Sequence, residues 1–388
     1  MRSLELKYGC NPNQKPARVF MQDGSDLPFT VLNGRPGYIN LLDALNGWQL
    51  VSELRANLHL PAAASFKHVS PAGAAVAVPL TQTERGMYFV SDKSDPSPLA
   101  IAYIRARGAD RMSSFGDFVS LSDVCDLSTA KAIKREVSDG IIAPGFEPEA
   151  LALLKQKKQG QYCILQIDPG YRRPALDHRE IYGITFEQHY NDAKLDESAL
   201  GPVVTEKKEI PDEAKRDLIV AMVALKYTQS NSVCYAYHGQ TIGVGAGQQS
   251  RIHCTRLAGD KADRWFLRQS ERALHLPYRM DLSRNDKDNA VEQFLADYPE
   301  SDDWRTYFTE EPEKYRWEEK RQILAAHNDV SLASDAFFPF RDNIDRAHRS
   351  GVGYIVQPGG SLRDDLVLEA CNQYGMVMVC NSIRLFHH

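Results

Sequence analysis

Lys67 and His68 stand side by side at the end of a run of small residues, Ala62 to Ser65. An ammonium beside an imidazole is a proton donor next to a base that titrates near neutrality. Adjacent residues on an extended segment face opposite ways, so both reach one ligand only if the chain kinks there. Ser70-Pro71-Ala72-Gly73 follows directly and reads as the turn that supplies the kink. A second small-residue run, Ala74 to Leu80, resumes behind it and lets a backbone or a flat ligand come close. Taken alone, the pair fits an exposed Lys and a hydrogen-bonded His at a strand end better than a catalytic pair. The case therefore depends on the rest of the chain.

Other polar residues sit in small-residue or aromatic settings. They are Ser113-Ser114-Phe115-Gly116, Asp139-Gly140, Asn231-Ser232, Gln248 to Arg251, Asp335 to Arg341, and Arg384 to His388. Each alone has a structural reading; Asp139 could end a helix, and Phe337 to Phe340 could be plain core. Gly243 to Gln248 is Gly-rich and opens a helix, which suits either anion binding or close packing. It lacks the strand, full G-x-G-x-x-G and distant acidic residue of a dinucleotide fold. Zinc-site spacings and the G-x-x-x-x-G-K-[ST] phosphate loop are absent.

The elements that must position these groups alternate between helix and strand. Tyr38 to Leu60 has helical spacing of its apolar residues. A helix ending near Val137 leads to a short strand at Ile141-Ile142, Pro144-Gly145, a helix over Glu147 to Lys157 and a strand over Tyr162 to Ile167. The same succession returns as helix Asp342 to Arg349, strand Tyr354 to Val356, Pro358-Gly359-Gly360, helix Asp364 to Tyr374 and strand Met376 to Cys380. This predicts an α/β protein of two related halves. Asp263 to Asp329 is highly charged and reads as a helical insertion packed down by Trp265, Trp304 and Trp317.

The 388 residues suggest two or three domains. Hydrophobic content of 43% and charged content of 25% describe a soluble globular protein. A net charge of −5 argues against a nucleic-acid surface and leaves anionic small molecules open. Seven scattered cysteines without C-x-x-C favour reduced thiols and a cytoplasmic location. The longest apolar run is far short of the ~18 residues of a membrane span.

Together the stretches from Leu6-Lys-Tyr-Gly9 to Arg384-Leu-Phe-His-His388 resemble the AICAR transformylase family. Ser65 to Gly73, Lys226 to Val233, Gly243 to Ala258 and Ser334 to Asn343 carry the likeness. The resemblance implies a tandem pair of cytidine-deaminase-like three-layer α/β/α units. Residues 1–185 would form the first and residues 186–262 plus 330–388 the second, with residues 263–329 as a helical insertion. It implies transfer of a formyl group from 10-formyltetrahydrofolate to AICAR, without ring closure, in a homodimer whose sites draw on both chains. It implies no zinc, no nucleic acid and no membrane. By resemblance, Lys67, His68 and Asn231 are catalytic. Lys7, Tyr8 and Arg384 would take the phosphate, Gly116 and Asp139 the ribose and base, and Arg251 and Phe337 the carboxamide from the other subunit. Met112, Phe115, Ile252, Pro339 and Phe340 would wall the folate. Ser230, Ser232 and Asp335 would hold a monovalent cation, potassium. Relatives carry Arg where this chain has Lys7, which keeps the charge and loses the two-pronged fork. The readings from other classes are a catalytically silent nucleotide-metabolite binding protein on the same fold and a dinucleotide oxidoreductase.

Overall fold

The computed structural model describes residues 1–299 and 301–388. Its centre is an eleven-stranded mixed sheet, and among the described residues twelve α-helices accompany it. Strand Ala62–Lys67 pairs antiparallel with Ser70–Val76 on one side and Asp117–Leu121 on the other. Ser138–Ala143 and Cys163–Ile167 then follow in parallel. Val233–Tyr237 repeats this pattern. It lies antiparallel to Gln240–Gly245 and to Val330–Ser334, after which Val352–Gln357 and Val377–Cys380 add in parallel. The chain thus builds one strand arrangement twice. The two copies meet where Gln240 pairs with Ala75, and Phe29–Asn33 closes the edge of the first.

Helices cover both faces. Tyr38–Leu58 and Asp212–Lys226 lie together on one, through Leu50, Val51, Leu54, Leu218 and Met222. Leu218 to Leu225 are all buried because that helix packs against the sheet and against its neighbour helix. On the other face, Pro98–Gly108, Leu127–Lys134 and Pro148–Lys155 cover the first copy. Arg251–Leu267, Asp342–Arg349 and Asp364–Gln373 cover the second. Gly243 and Gly245 explain how tightly Arg251–Leu267 sits. A Cβ at either would lie 2.0 Å from the Ala258 carbonyl oxygen or 2.2 Å from that of Cys254. The Gly-rich stretch is therefore a strand against which a helix backbone rests.

The charged segment is helical, with a small core of its own around Ala290, Phe294, Trp304 and Phe308. Only one tryptophan fastens it as expected. Trp265 belongs to the main helix layer, where its indole N–H donates to the Tyr88 hydroxyl at 2.9 Å. Trp317 is exposed, with the Arg321 guanidinium over its ring. A projecting hairpin, Leu176–Ile181 with Ile184–His189, was not anticipated from the sequence.

Candidate functional site

Lys67 and His68 lie at the tip of the Ala62–Val76 hairpin. Lys67 pairs with Ser70, so His68 and Val69 form a two-residue turn, and both have positive φ, 54° and 61°. This is the turn geometry that matches the twist of antiparallel strands. The kink is therefore at His68-Val69 itself. Ser70-Pro71-Ala72-Gly73, expected to be the turn, is strand with a register shift opposite Ser65 and Phe66. Its turn-like composition reflects that irregularity, where a proline without N–H is tolerated. Histidine enters the left-handed region more readily than most residues, but β-branched valine is an outlier there, at a cost of order 1–3 kcal/mol. The Val69 N–H is held at 2.7 Å by the Asp43 carboxylate, on helix Tyr38–Leu58. Burial pushes the Asp43 carboxyl up to about 6, against the pull of that N–H and of His68.

The tip faces a loop. The Lys67 ammonium donates to the Phe115 carbonyl, and Gly116, with φ of 74°, turns the chain into strand Asp117–Leu121. Met112 and Phe115 are exposed. The loop is held from behind: Arg107 donates to the Ser114 carbonyl at 2.6 Å and pairs with Asp117 at 3.0 Å. Ser65 donates to Asp117 at 2.6 Å. Burial raises the Asp117 carboxyl despite these partners. Arg111 extends the bracing to Asp288 of the helical segment at 2.7 Å. Asp139 is in strand Ser138–Ala143, paired with Lys158.

A second cluster forms in the other copy of the arrangement. Asn231, Arg251, Phe337, Pro339 and Arg384 line one cleft of about 760 Å³. Ile252 follows Arg251 in the first turn of the helix, and Phe340 is exposed next to Pro339. Arg251 is buried and organises this cluster. It donates to Asn231 Oδ1 at 2.9 Å and to the Ser232 carbonyl at 2.8 Å, and it pairs with Asp335. Asp335 Oδ2 also accepts from Ser230 Oγ at 2.6 Å and from Ser232 N–H and Oγ, each at 2.9 Å. The expected cation-binding residues thus meet, but around each other. Arg251 sets one positive charge against the carboxylate, while the Ser230 and Ser232 hydroxyls donate their protons to it and keep oxygen lone pairs of their own. The chain end is stitched to the same place, Leu385 N–H to the Asp335 carbonyl at 2.9 Å and His387 N–H to Ser230 Oγ at 3.0 Å.

The expected residues therefore fall into two groups. Lys67, His68, Met112, Phe115, Gly116 and Asp139 belong to the first strand arrangement, and Asn231, Arg251, Ile252, Phe337, Pro339, Phe340 and Arg384 to the second. The Gln229 N–H, donating to Ser70 Oγ at 3.3 Å, links their borders. Lys7 and Tyr8 follow strand Ser3–Leu6, with the ammonium 5.9 Å from the Tyr8 ring. Among the described residues no hydrogen bond or ion pair joins them to Arg384. Asp43 escaped the sequence reading. Its only signal is a carboxylate between Leu41 and Ala44, on the face that the helix buries.

Residues 1–261 match the family described as the AICARFT/IMPCHase bienzyme. The chain belongs to this family. Proteins named "Bifunctional purine biosynthesis protein PurH" are similar to it along its length. That of Ruegeria sp. is 33% identical over 390 residues, 99% of this chain and 59% of the relative. That of Magnetococcus marinus is 31% identical over 390 residues, again 99% and 59%. That of Xylella fastidiosa is 30% identical over 393 residues, 100% of this chain and 58% of the relative. The chain thus spans 58–59% of the bienzyme-family relatives it matches. No helix is long and apolar enough to cross a membrane among the described residues.

Proposed function

We propose that this chain transfers the formyl group of 10-formyltetrahydrofolate to the 5-amino group of AICAR, giving FAICAR and tetrahydrofolate. The observation that carries the reading is the hairpin tip, which sets an ammonium and an imidazole at one turn beside the exposed Phe115. The aminoimidazole amine is a reluctant nucleophile because its lone pair is delocalised into the ring. His68 takes its proton as the nitrogen bonds to the formyl carbon. Lys67 stabilises the tetrahedral intermediate and delivers a proton to N10 as the carbon–N10 bond breaks. Asn231, fixed by Arg251, orients the formyl group. Gly116 and Asp139 hold the ribose and base, Lys7, Tyr8 and Arg384 the phosphate, Phe337 the carboxamide, and Met112, Phe115, Ile252, Pro339 and Phe340 the folate.

Two further readings go with it. The repeated strand arrangement supports two cytidine-deaminase-like units, residues 1–185 and residues 186–262 plus 330–388, with residues 263–329 inserted. The division of site residues into two groups, one with exposed Phe115 and the other with exposed Phe337 and Phe340, supports a homodimer in which one group of one chain meets the other group of its partner.

The test is to supply AICAR and 10-formyltetrahydrofolate and follow tetrahydrofolate release. Lys67→Met and His68→Ala are each expected to lose ~10²–10⁴-fold in turnover while still binding AICAR. Unchanged turnover in both variants would remove the mechanism.

A further inference from the structure

We propose that Asp43 is a positioning residue for Lys67 and His68, holding the hairpin tip in the conformation that presents both side chains. The proposal rests on the formyl-transfer reading. Its geometry begins with a backbone conformation that the local sequence does not favour. The two-residue turn needs positive φ at His68 and at Val69, and glycine or asparagine would normally supply it at the second place. Valine supplies nothing of the kind. What holds it is a contact from outside the hairpin, the 2.7 Å hydrogen bond from the Val69 N–H to Asp43 Oδ1.

Asp43 is otherwise out of place. It is 5% exposed, on the face of helix Tyr38–Leu58 that also buries Leu41 and Ala44. An apolar residue there would complete the stripe. The charged groups facing it are His68 from the turn, Asp117 from strand Asp117–Leu121 and Asp139 from strand Ser138–Ala143. Two of the three are acids, and among the described residues no Arg or Lys pairs with Asp43. A buried carboxylate without a counter-ion is poor for stability. Among the described residues the Val69 N–H is its one hydrogen-bond donor, so the carboxylate is matched to the turn.

The test compares three variants in the transfer assay and by amide hydrogen exchange of the peptide containing Val69. Asp43→Ala is expected to lower kcat about 10- to 100-fold, the scale of a small misplacement of catalytic groups. Its AICAR Kd should stay within about threefold of wild type, and the Val69 amide should exchange faster. Asp43→Asn keeps an acceptor oxygen and is expected to retain the Val69 protection and to recover most of the lost kcat. Asp43→Ala with Val69→Gly is expected to recover at least about threefold in kcat, because glycine adopts the turn unaided. Unchanged kcat in Asp43→Ala, or no recovery in both other variants, overturns the proposal. Wild-type protein that transfers no formyl group overturns the functional reading instead, while the exchange measurement still reports the Asp43–Val69 anchor.

Discussion

Lys7 shows how much a single side chain can be asked to do. An ammonium is a compact point charge, whereas a guanidinium meets two phosphate oxygens at once. If the phosphate of AICAR is bound beside Tyr8, Lys7→Arg should lower the AICAR KM several-fold with kcat little changed. Steady-state kinetics in AICAR at saturating folate reads this directly. Asp43 carries the opposite lesson, a group placed against stability. Its carboxyl is pushed up to about 6 by burial. The folded state therefore binds the proton more tightly than the unfolded chain. Stability falls as pH rises from about 4 to about 6 and stays lowered above that. At ~1.4 kcal/mol per pH unit, the ionised group costs up to about 3 kcal/mol. Asp43→Asn should therefore unfold at higher urea than wild type at pH 8 and at nearly the same urea at pH 4. Of these residues, Lys67 and His68 were legible in the sequence because two titratable groups interrupt a run of small ones. Asp43 was not, because a lone acid in a helical stripe looks like any polar interruption until the hairpin tip is folded over it.

The elements succeed or fail as carriers of these groups by how closely they approach. Helix Arg251–Leu267 delivers Arg251 and Ile252, and its distance from the sheet is set by Gly243 and Gly245. Gly243→Ala would drive a methyl to 2.0 Å from the Ala258 carbonyl oxygen. The helix must shift, so a loss of ~1–3 kcal/mol is expected in a denaturant titration, with weaker AICAR binding because Arg251 moves with it. Alternation of helix and strand was readable from Gly/Pro joints such as Pro144-Gly145 and Pro358-Gly359-Gly360. Turn chemistry was less reliable. Ser70-Pro71-Ala72-Gly73 has the composition of a turn but lies in a strand, and the real turn contains a valine that no propensity would place there. Trp304 packs the charged segment as expected and Trp265 and Trp317 do not, because composition says neither whether a given tryptophan is buried nor against which neighbour.

At the scale of the molecule, the two site groups lie on two copies of one strand arrangement. A dimer with shared sites predicts that specific activity falls on dilution below the dimer's Kd. Light scattering across the same concentrations should show the mass halving in step, and full activity from a proven monomer would refute the shared site. The repetition was visible in the sequence only in its last stretch of each copy, the parallel strands. The hairpins that begin the copies, Ala62–Val76 and Val233–Gly245, share only a histidine at the first turn position, His68 and His238, followed by Val69 in one and Gly239 in the other.

One more consequence follows from the place where the two copies join. Eleven strands run side by side, and at the middle the ladder narrows to one residue pair, Gln240 with Ala75, reinforced by the Val76 N–H on the Gly239 carbonyl at 2.8 Å and by the core that helices Tyr38–Leu58 and Asp212–Lys226 share. A molecule stretched between its two ends in an optical trap should therefore part at this junction only when the shared helix layer shears with it, in one cooperative rip. Each half would come away with one apolar helix face stripped of its cover, and with only one share of the chemistry.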